Sequence, residues 1–539
     1  MSGLVRPLLL AVAGGALVGL SLPPFSLWPL GVIGAAAVFA ALAGQIWGRR
    51  LLIGFAFGIA QFCVGLTWAL QFDVGGYVAL CIVEAAFFAA AALLVPGGAG
   101  RLPAAAGVFL VAEWARESWP FGGLPLGGIA LGQLGGPFAG TARLGGSFLV
   151  AGTTFLAGAV VAGAVLGLVV GNRAASPLSW RTGSASRAPI VRSPPRQLAS
   201  AALGALVVVA VSAWGVFAPG GGSTSPSYLS VAIVQGGGLR GLDQLEVPSS
   251  DVLEAAVRET ARLERHVDLI VWPEDVVATP GPFFGSADAR LLARIARSRR
   301  ATLVAGVTEP VGATRFRNEI VAFSGKGRVV AVFEKVHRVP FGEYIPFRSF
   351  FKHFANLRDV PRDAIAGHGS GMITTPAGRL ALLVSYEDFF ADRGRSGVRA
   401  GGGVIVVPTN TSSYSSDQAP SQEIAASRLQ AIEEGRFVLQ ASPTGYSAVI
   451  DNTGTVRQVT ALSVPAILTA RVPRLAGRTL FERAGPLPVL GAAGLGFVGG
   501  WIVFLDTRSG GSGEVRRPRA RRRRRRRWGR GRGRRYRFR

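Results

Sequence analysis

A carboxylate, an ammonium and a hydroxyl stand at equivalent places in this chain. Glu274 follows the run DLIVWP, Lys335 follows VVAVFE, and Ser385 follows LALLV. A base, a fixed cation and an activatable oxygen suit covalent acyl transfer. The base takes the proton, the oxygen takes the acyl group, and the cation steadies the oxyanion between them. Any one such residue is more commonly a solvated loop charge. Three of them, each at the end of an apolar run, point to a common pocket.

The runs that carry them read as strands: YLSVAIVQ, VDLIVWP, ATLVAGVT, NEIVAFS, GRVVAVFE, RLALLVS and GGVIVVPTN. Amphipathic helical patterns such as SADARLLARIARSRR and PSQEIAASRLQAIEEGR fall between them. Alternating strands and helices predict a layered α/β domain over 225–484 with a parallel or mixed sheet, whose reactive groups gather beyond the strand C-termini. A Gly/Ser/Pro linker, PGGGSTSPS, precedes it.

Several longer strings carry a family likeness. WPED (272–275), FEKVHRVPFGEYIPF (333–347), SYED (385–388) and RLQAIEEGRFVLQASPTGYSAVID (428–451) resemble the carbon–nitrogen hydrolase, or nitrilase, superfamily. Within it, the chain is similar to bacterial apolipoprotein N-acyltransferases almost throughout, including LSLPPFSLWPL, AEWARESWPFGGLPLG (112–127) and AIVQG (232–236). The resemblance implies a membrane helical bundle joined to an αββα sandwich. It implies acyl transfer from a phospholipid, through an acyl-enzyme, to the α-amine of an S-diacylglyceryl-cysteine lipoprotein. It further implies Glu274 as general base, Lys335 as oxyanion stabiliser, Ser385 at the nucleophile position, Glu343 in support, and Tyr386 and Glu387 lining the pocket. No metal or organic cofactor is implied.

Three features depart from the family pattern. Its nucleophile is a cysteine, whose thiolate forms near pH 8.5. An alcohol is far less acidic, so Ser385 needs its proton removed as it attacks, and the intermediate becomes an oxygen ester. TNTSSYSSD (409–417) stands where an Asn-Asp-aromatic loop is usual, and GGLRGLDQ after AIVQG lacks a tryptophan. A catalytically silent relative that binds lipoproteins, or scaffolds a membrane partner such as a polyprenol-phosphate mannosyltransferase, is the alternative.

Composition fits a membrane protein. Of 539 residues, 49% are hydrophobic and 17% charged, too apolar for an ordinary soluble chain. Runs near the length of about 20 residues that crosses the hydrocarbon core occur at about 7–22, 29–46, 51–71, 76–95, 104–118, 147–171, 198–218 and 486–505. Seven spans thus occupy 1–218, and the eighth lies within 485–507. The first follows Arg6 and imitates a signal peptide, but it reads as a retained anchor.

Arg6, Arg49-Arg50, Arg101 and the arginines of 172–197 recur at alternate connections, marking the cytoplasmic side. This predicts a multi-pass protein of the bacterial cytoplasmic membrane, with both termini inside and 225–484 outside. The tail 508–539 holds 16 of the arginines from Arg516 onward, more than half of the net charge of +27. A disordered anionic-lipid tether is expected there rather than a nucleic-acid site. Cys63 and Cys81 both fall in spans, and the four histidines show no metal-ligand spacing. Glu113 and Arg116 lie one helical turn apart. They are candidates for lipid headgroups or for a structural ion pair, and Glu84 in span four is a weaker candidate of the same kind.

Overall fold

A computed structural model describes residues 2–97, 100–174, 194–222, 227–353 and 360–509. Most of the arginine-rich tail and of the loop 172–197 lies outside these residues. Helices occupy all eight apolar segments: α1 (Ser2–Ser21), α2 (Trp28–Ala41), α3 (Trp47–Gly65), α4 (Val74–Leu94), α5 (Arg101–Arg116), α6 (Ala142–Ala174), α7 (Pro194–Phe217) and α14 (Leu487–Ser509). Five of them, α1, α4, α6, α7 and α14, contain stretches long and apolar enough to cross a membrane.

Small residues let these helices approach closely. A Cβ on Gly15 would lie 2.0 Å from the Phe57 carbonyl oxygen, and one on Gly54 would lie 2.4 Å from that of Phe88. Phe57, Phe62, Phe88 and Phe109 fill the centre of the bundle.

The second part is a sandwich of two mixed sheets. The first contains β1 (Ser227–Gln235), β2 (Leu269–Val271), β3 (Val277–Ala278), β4 (Thr302–Val311), β5 (Arg315–Phe323), β6 (Val329–Glu334), β7 (Asp363–Ala364) and β14 (Ala466–Arg474). The second, in spatial order 13-12-11-10-9-8, contains β8 (Met372–Thr375), β9 (Gly378–Leu382), β10 (Val404–Pro408), β11 (Val438–Ala441), β12 (Ala448–Ile450) and β13 (Val456–Val459).

Successive strand residues point to opposite faces, and here both faces are buried. Val231, Leu269, Val271 and Val304 face Leu380, Leu382, Val404 and Val406 across the middle of the sandwich. The alternate residues Ala232, Ile270 and Leu303 pack under α8 (Ser249–Ala261) and α9 (Ala287–Arg299). Ala381, Leu383, Ile405 and Val407 pack under α11 (Ala391–Arg399) and α12 (Gln418–Glu434). The result is the four-layer αββα arrangement. Two short helices complete the set, α10 (Arg348–Phe351) and α13 (Leu480–Ala484).

The sandwich meets the bundle through its α12 layer. Ala425, Ala426, Leu429 and Ile432 join the same apolar cluster as Ala130 and Leu131. Helix α12 is therefore packed on both sides, which explains why nearly all of it is buried despite several polar residues.

Candidate active site

Glu274 leaves β2 in the turn Trp272-Pro273-Glu274-Asp275. The turn lies flat against β4, where a Cβ on Gly306 would fall 2.5 Å from the Glu274 Cα, so only glycine fits. Trp272 anchors it by donating from Nε1 to Thr260 Oγ1 at 2.9 Å. Lys335 leaves β6, and its backbone amide donates to the Asn318 carbonyl on the neighbouring antiparallel β5 at 2.9 Å.

That pairing brings three charged groups together. Lys335 Nζ donates to Glu274 Oε1 at 2.9 Å and to Glu343 Oε1 at 2.7 Å. Asn318 Nδ2 bridges the same two oxygens, at 2.8 and 3.1 Å. The other Glu343 oxygen accepts from the Val339 amide at 2.8 Å, which pins the turn around Phe341.

Burial pushes the Glu274 carboxyl above its ordinary range, Lys335 pulls it back down, and Glu343 adds to the rise. Burial alone would lower the lysine, but the two carboxylates outweigh it and its pKa rises. One cation between two carboxylates leaves a surplus negative charge, so a proton is held easily here. Beside Glu274, burial raises Asp275 to about 6, while Thr308 Oγ1 donates to its Oδ1.

Ser385 begins a tight turn after β9 and has φ +52°. For a non-glycine residue this left-handed conformation is strained and frequently marks function. It turns the half-buried serine off the strand end. Glu387, fully buried, ties that turn to the lysine strand. Its Oε2 accepts from the Val384 amide at 2.9 Å, and its Oε1 accepts from the amides of Val336 and His337 at 2.8 and 3.1 Å. One carboxylate thus clips the residue before Ser385 to the residue after Lys335. Lys335 touches both Glu274 and Glu343, and the Ser385 turn is tied to the lysine strand through this clip.

The remaining expected residues sit elsewhere. Tyr386 packs on Phe390 with ring centroids 5.0 Å apart, and its hydroxyl donates to the Gly123 carbonyl at 2.7 Å. It links the sandwich to the bundle. Arg116, Glu113 and Glu84 form a buried cluster inside the bundle, with N–O separations of 2.5 Å to Glu113 and 3.2 Å to Glu84. Arg116 also donates to the carbonyls of Leu124, Pro125 and Leu126, and the Ile129 amide donates to Glu113. These residues hold the loop 117–128 and do not touch the Lys335 cluster.

Asn318 was not singled out from the sequence. As a lone asparagine opening the run NEIVAFS, it gives no local signal. Its role depends on the β5–β6 register. The divergent loop 409–417 proves to be the other seam with the bundle. Gln71 Nε2 donates to the Ser413 carbonyl, the Ser415 amide donates to Gln71 Oε1, both at 2.8 Å, and Tyr414 packs edge-on against Trp68 and Phe72. Just beyond it, Gln418 and Gln422 donate to the carbonyls of Val64 and Gly65, both at 2.8 Å.

Comparison with known proteins follows this division. Residues 14–163 match the family model of the apolipoprotein N-acyltransferase N-terminal domain, and 230–475 match that of the carbon-nitrogen hydrolases. The chain is 28% identical over 514 residues to an apolipoprotein N-acyltransferase of Azotobacter vinelandii, covering 90% of this chain and 93% of that protein. One from Gloeobacter violaceus is 26% identical over 521 residues, covering 92% and 94%. Among solved structures, an amidase from Nesterenkonia sp. aligns at 21% identity and a TM-score of 0.37, covering 49% of this chain and 96% of its own. The two matched domains account for the bundle and the sandwich in turn, and the full-length relatives join both: the chain belongs to the apolipoprotein N-acyltransferase family, with a nitrilase-type αββα domain set on a helical membrane bundle.

Proposed function

We propose that this protein N-acylates lipoproteins in two steps through Ser385. In the first, Glu274 removes the hydroxyl proton as Ser385 Oγ attacks an ester carbonyl of a phospholipid. Lys335 stabilises the tetrahedral oxyanion. Collapse breaks the ester, Glu274 returns the proton to the departing lysophospholipid alkoxide, and an acyl-serine ester remains. In the second, the α-amine of an S-diacylglyceryl-cysteine attacks that ester, and Glu274 takes the amine proton. Collapse passes the proton to Ser385 Oγ and releases the amide. Glu343 and Asn318 orient Lys335 and Glu274, and Glu387 holds the serine turn in place.

The observation that carries this reading is the hydrogen-bonded Glu274–Lys335–Glu343 chain, clipped by Glu387 to a strained serine at a strand end. Lipid-phase substrates are supported by exposed aromatic residues on one side of the molecule: Phe341, Phe347 and Phe350 beside Trp119 and Phe121. The arginine bias supports both termini in the cytoplasm and the sandwich outside, with the basic tail against anionic lipid on the inner face. A reporter fused after Gly221 is expected to behave as extracytoplasmic.

Reconstitution with phospholipid and a diacylated lipopeptide, followed by mass, tests the chemistry. Wild type should add one acyl group, Ser385→Ala should add none, and Ser385→Cys should react faster. A wild type without activity that Ser385→Cys revives would instead support the binding-only alternative.

A further inference from the structure

A cavity of about 380 Å³ lies at the junction of bundle and sandwich. Pro24, Leu134, Ile424, Tyr446 and Val459 contribute to its walls, and among the described residues Arg428 of α12 is the one charged residue lining it. None of Glu274, Lys335, Glu343 and Ser385 reaches it. The surroundings of Arg428 are unusual for a half-buried cation. Its Nε donates to the Gly454 carbonyl at 2.7 Å and its Nη2 to the Leu134 carbonyl at 2.9 Å. Both partners are neutral, and among the described residues no carboxylate forms an ion pair with it. A desolvated guanidinium without a counter-charge is unfavourable, so this cavity is electrostatically incomplete. A mostly apolar cavity of this size with a few convergent polar groups has the anatomy of a ligand site.

The missing partner is an anion with an apolar body. The cavity opens beside the α1–α2 connection, where Phe25 and Leu27 are each 52% exposed. Helices α1 and α2 end there, at the level where headgroups meet water. We propose that this cavity binds an anionic phospholipid, with its phosphate on Arg428 and its chains along Phe25 and Leu27, at a site separate from the acyl-transfer centre.

The test uses the full chain in detergent, with phosphatidylglycerol or phosphatidylcholine added and retained lipid counted by native mass spectrometry. Wild type should retain one phosphatidylglycerol in preference to phosphatidylcholine. Arg428→Gln should weaken that retention about tenfold, the scale of one lost charge-assisted contact. Because Arg428 also ties α12 to two carbonyls, a second variant is needed. Ser421→Phe fills the cavity from an α12 position whose side chain makes no hydrogen bond among the described residues, and it should weaken retention equally. The arginine-rich tail is identical in all three proteins, so its own lipid binding cancels. Equal retention of both lipids by wild type, or unchanged retention in both variants, would overturn the proposal. Competition by glycerol 3-phosphate alone would overturn the lipid assignment in favour of a soluble phosphate. A raised KM for the acyl donor in Arg428→Gln would return the cavity to the substrate path.

Discussion

Two buried clusters in this molecule are alike in setting one cation among carboxylates, three around Arg116 and two around Lys335, and they differ in how far that cation is already committed. In the bundle, Arg116 lies among Glu113, Glu84 and, at 3.9 Å, Glu117. In the sandwich, Lys335 lies between Glu274 and Glu343. Arg116 is fully buried, and its planar fork is consumed by the carboxylates and by three backbone carbonyls of the loop 117–128. A guanidinium so committed builds structure. Lys335 has three donors. Two go to the carboxylates, and the third has no acceptor among the described residues. A cation with a donor in reserve can meet an oxyanion. On the proposed mechanism, whether the last hydrogen bond is filled separates the scaffold from the reagent.

That contrast can be broken at its strongest point first. Arg116→Met leaves two carboxylates buried without a cation, which should cost about 3–5 kcal/mol of stability. Thermal unfolding and membrane yield should both fall, and a normally stable variant would contradict the structural role. Lys335→Met also removes a buried cation and should lose some stability, but its larger effect should be on acyl transfer, a loss of about 10²–10³-fold in the protein that folds. Single-turnover acylation of Ser385 measures this directly.

Glu387→Gln probes the connection between serine and lysine. It keeps one oxygen acceptor and turns the other into a donor facing an amide. We expect about a tenfold fall in kcat with little change in KM, because both carboxylate oxygens are taken up by backbone amides on either side of the clip. A change confined to KM would argue for contact with substrate.

The smallest effect concerns Glu423 of α12, whose side chain accepts from Thr409 Oγ1 and is raised to about 8 by burial. In the unfolded chain its pKa is about 4.3. Between these values the folded state binds the extra proton, so stability should fall as pH rises from about 4 to about 8. Glu423→Gln should flatten that part of the stability profile, read from unfolding midpoints across the range. Glu274 adds a kinetic counterpart. The base must be ionised, so acyl transfer should rise with pH through a midpoint above the usual carboxylate range.

Much of this was legible along the chain. The runs ending at Glu274, Lys335 and Ser385 announced themselves as strands because apolar and β-branched residues stop abruptly at a charge or hydroxyl. Apolar length marked the helices of the bundle, although α2 and α5 are only 14 and 16 residues long. Asn318, Tyr414 and the glutamines of α12 gave no such signal. Each is an ordinary polar residue until a distant segment meets it: Asn318 through the β5–β6 register, and Tyr414, Gln418 and Gln422 through the docking of sandwich on bundle.

Local pattern alone therefore determined the division into membrane helices and a layered α/β domain, together with three reactive groups at strand ends. Hydrophobic period and residue chemistry are properties of neighbours in sequence. Tertiary structure decided which charges were spent and which were kept in reserve. Arg116 and Lys335 look alike in one dimension, and only the carbonyls of 124–126 closing around the first make the difference. Hydrogen-bond satisfaction depends on groups far apart in the chain, which meet only when the fold is complete.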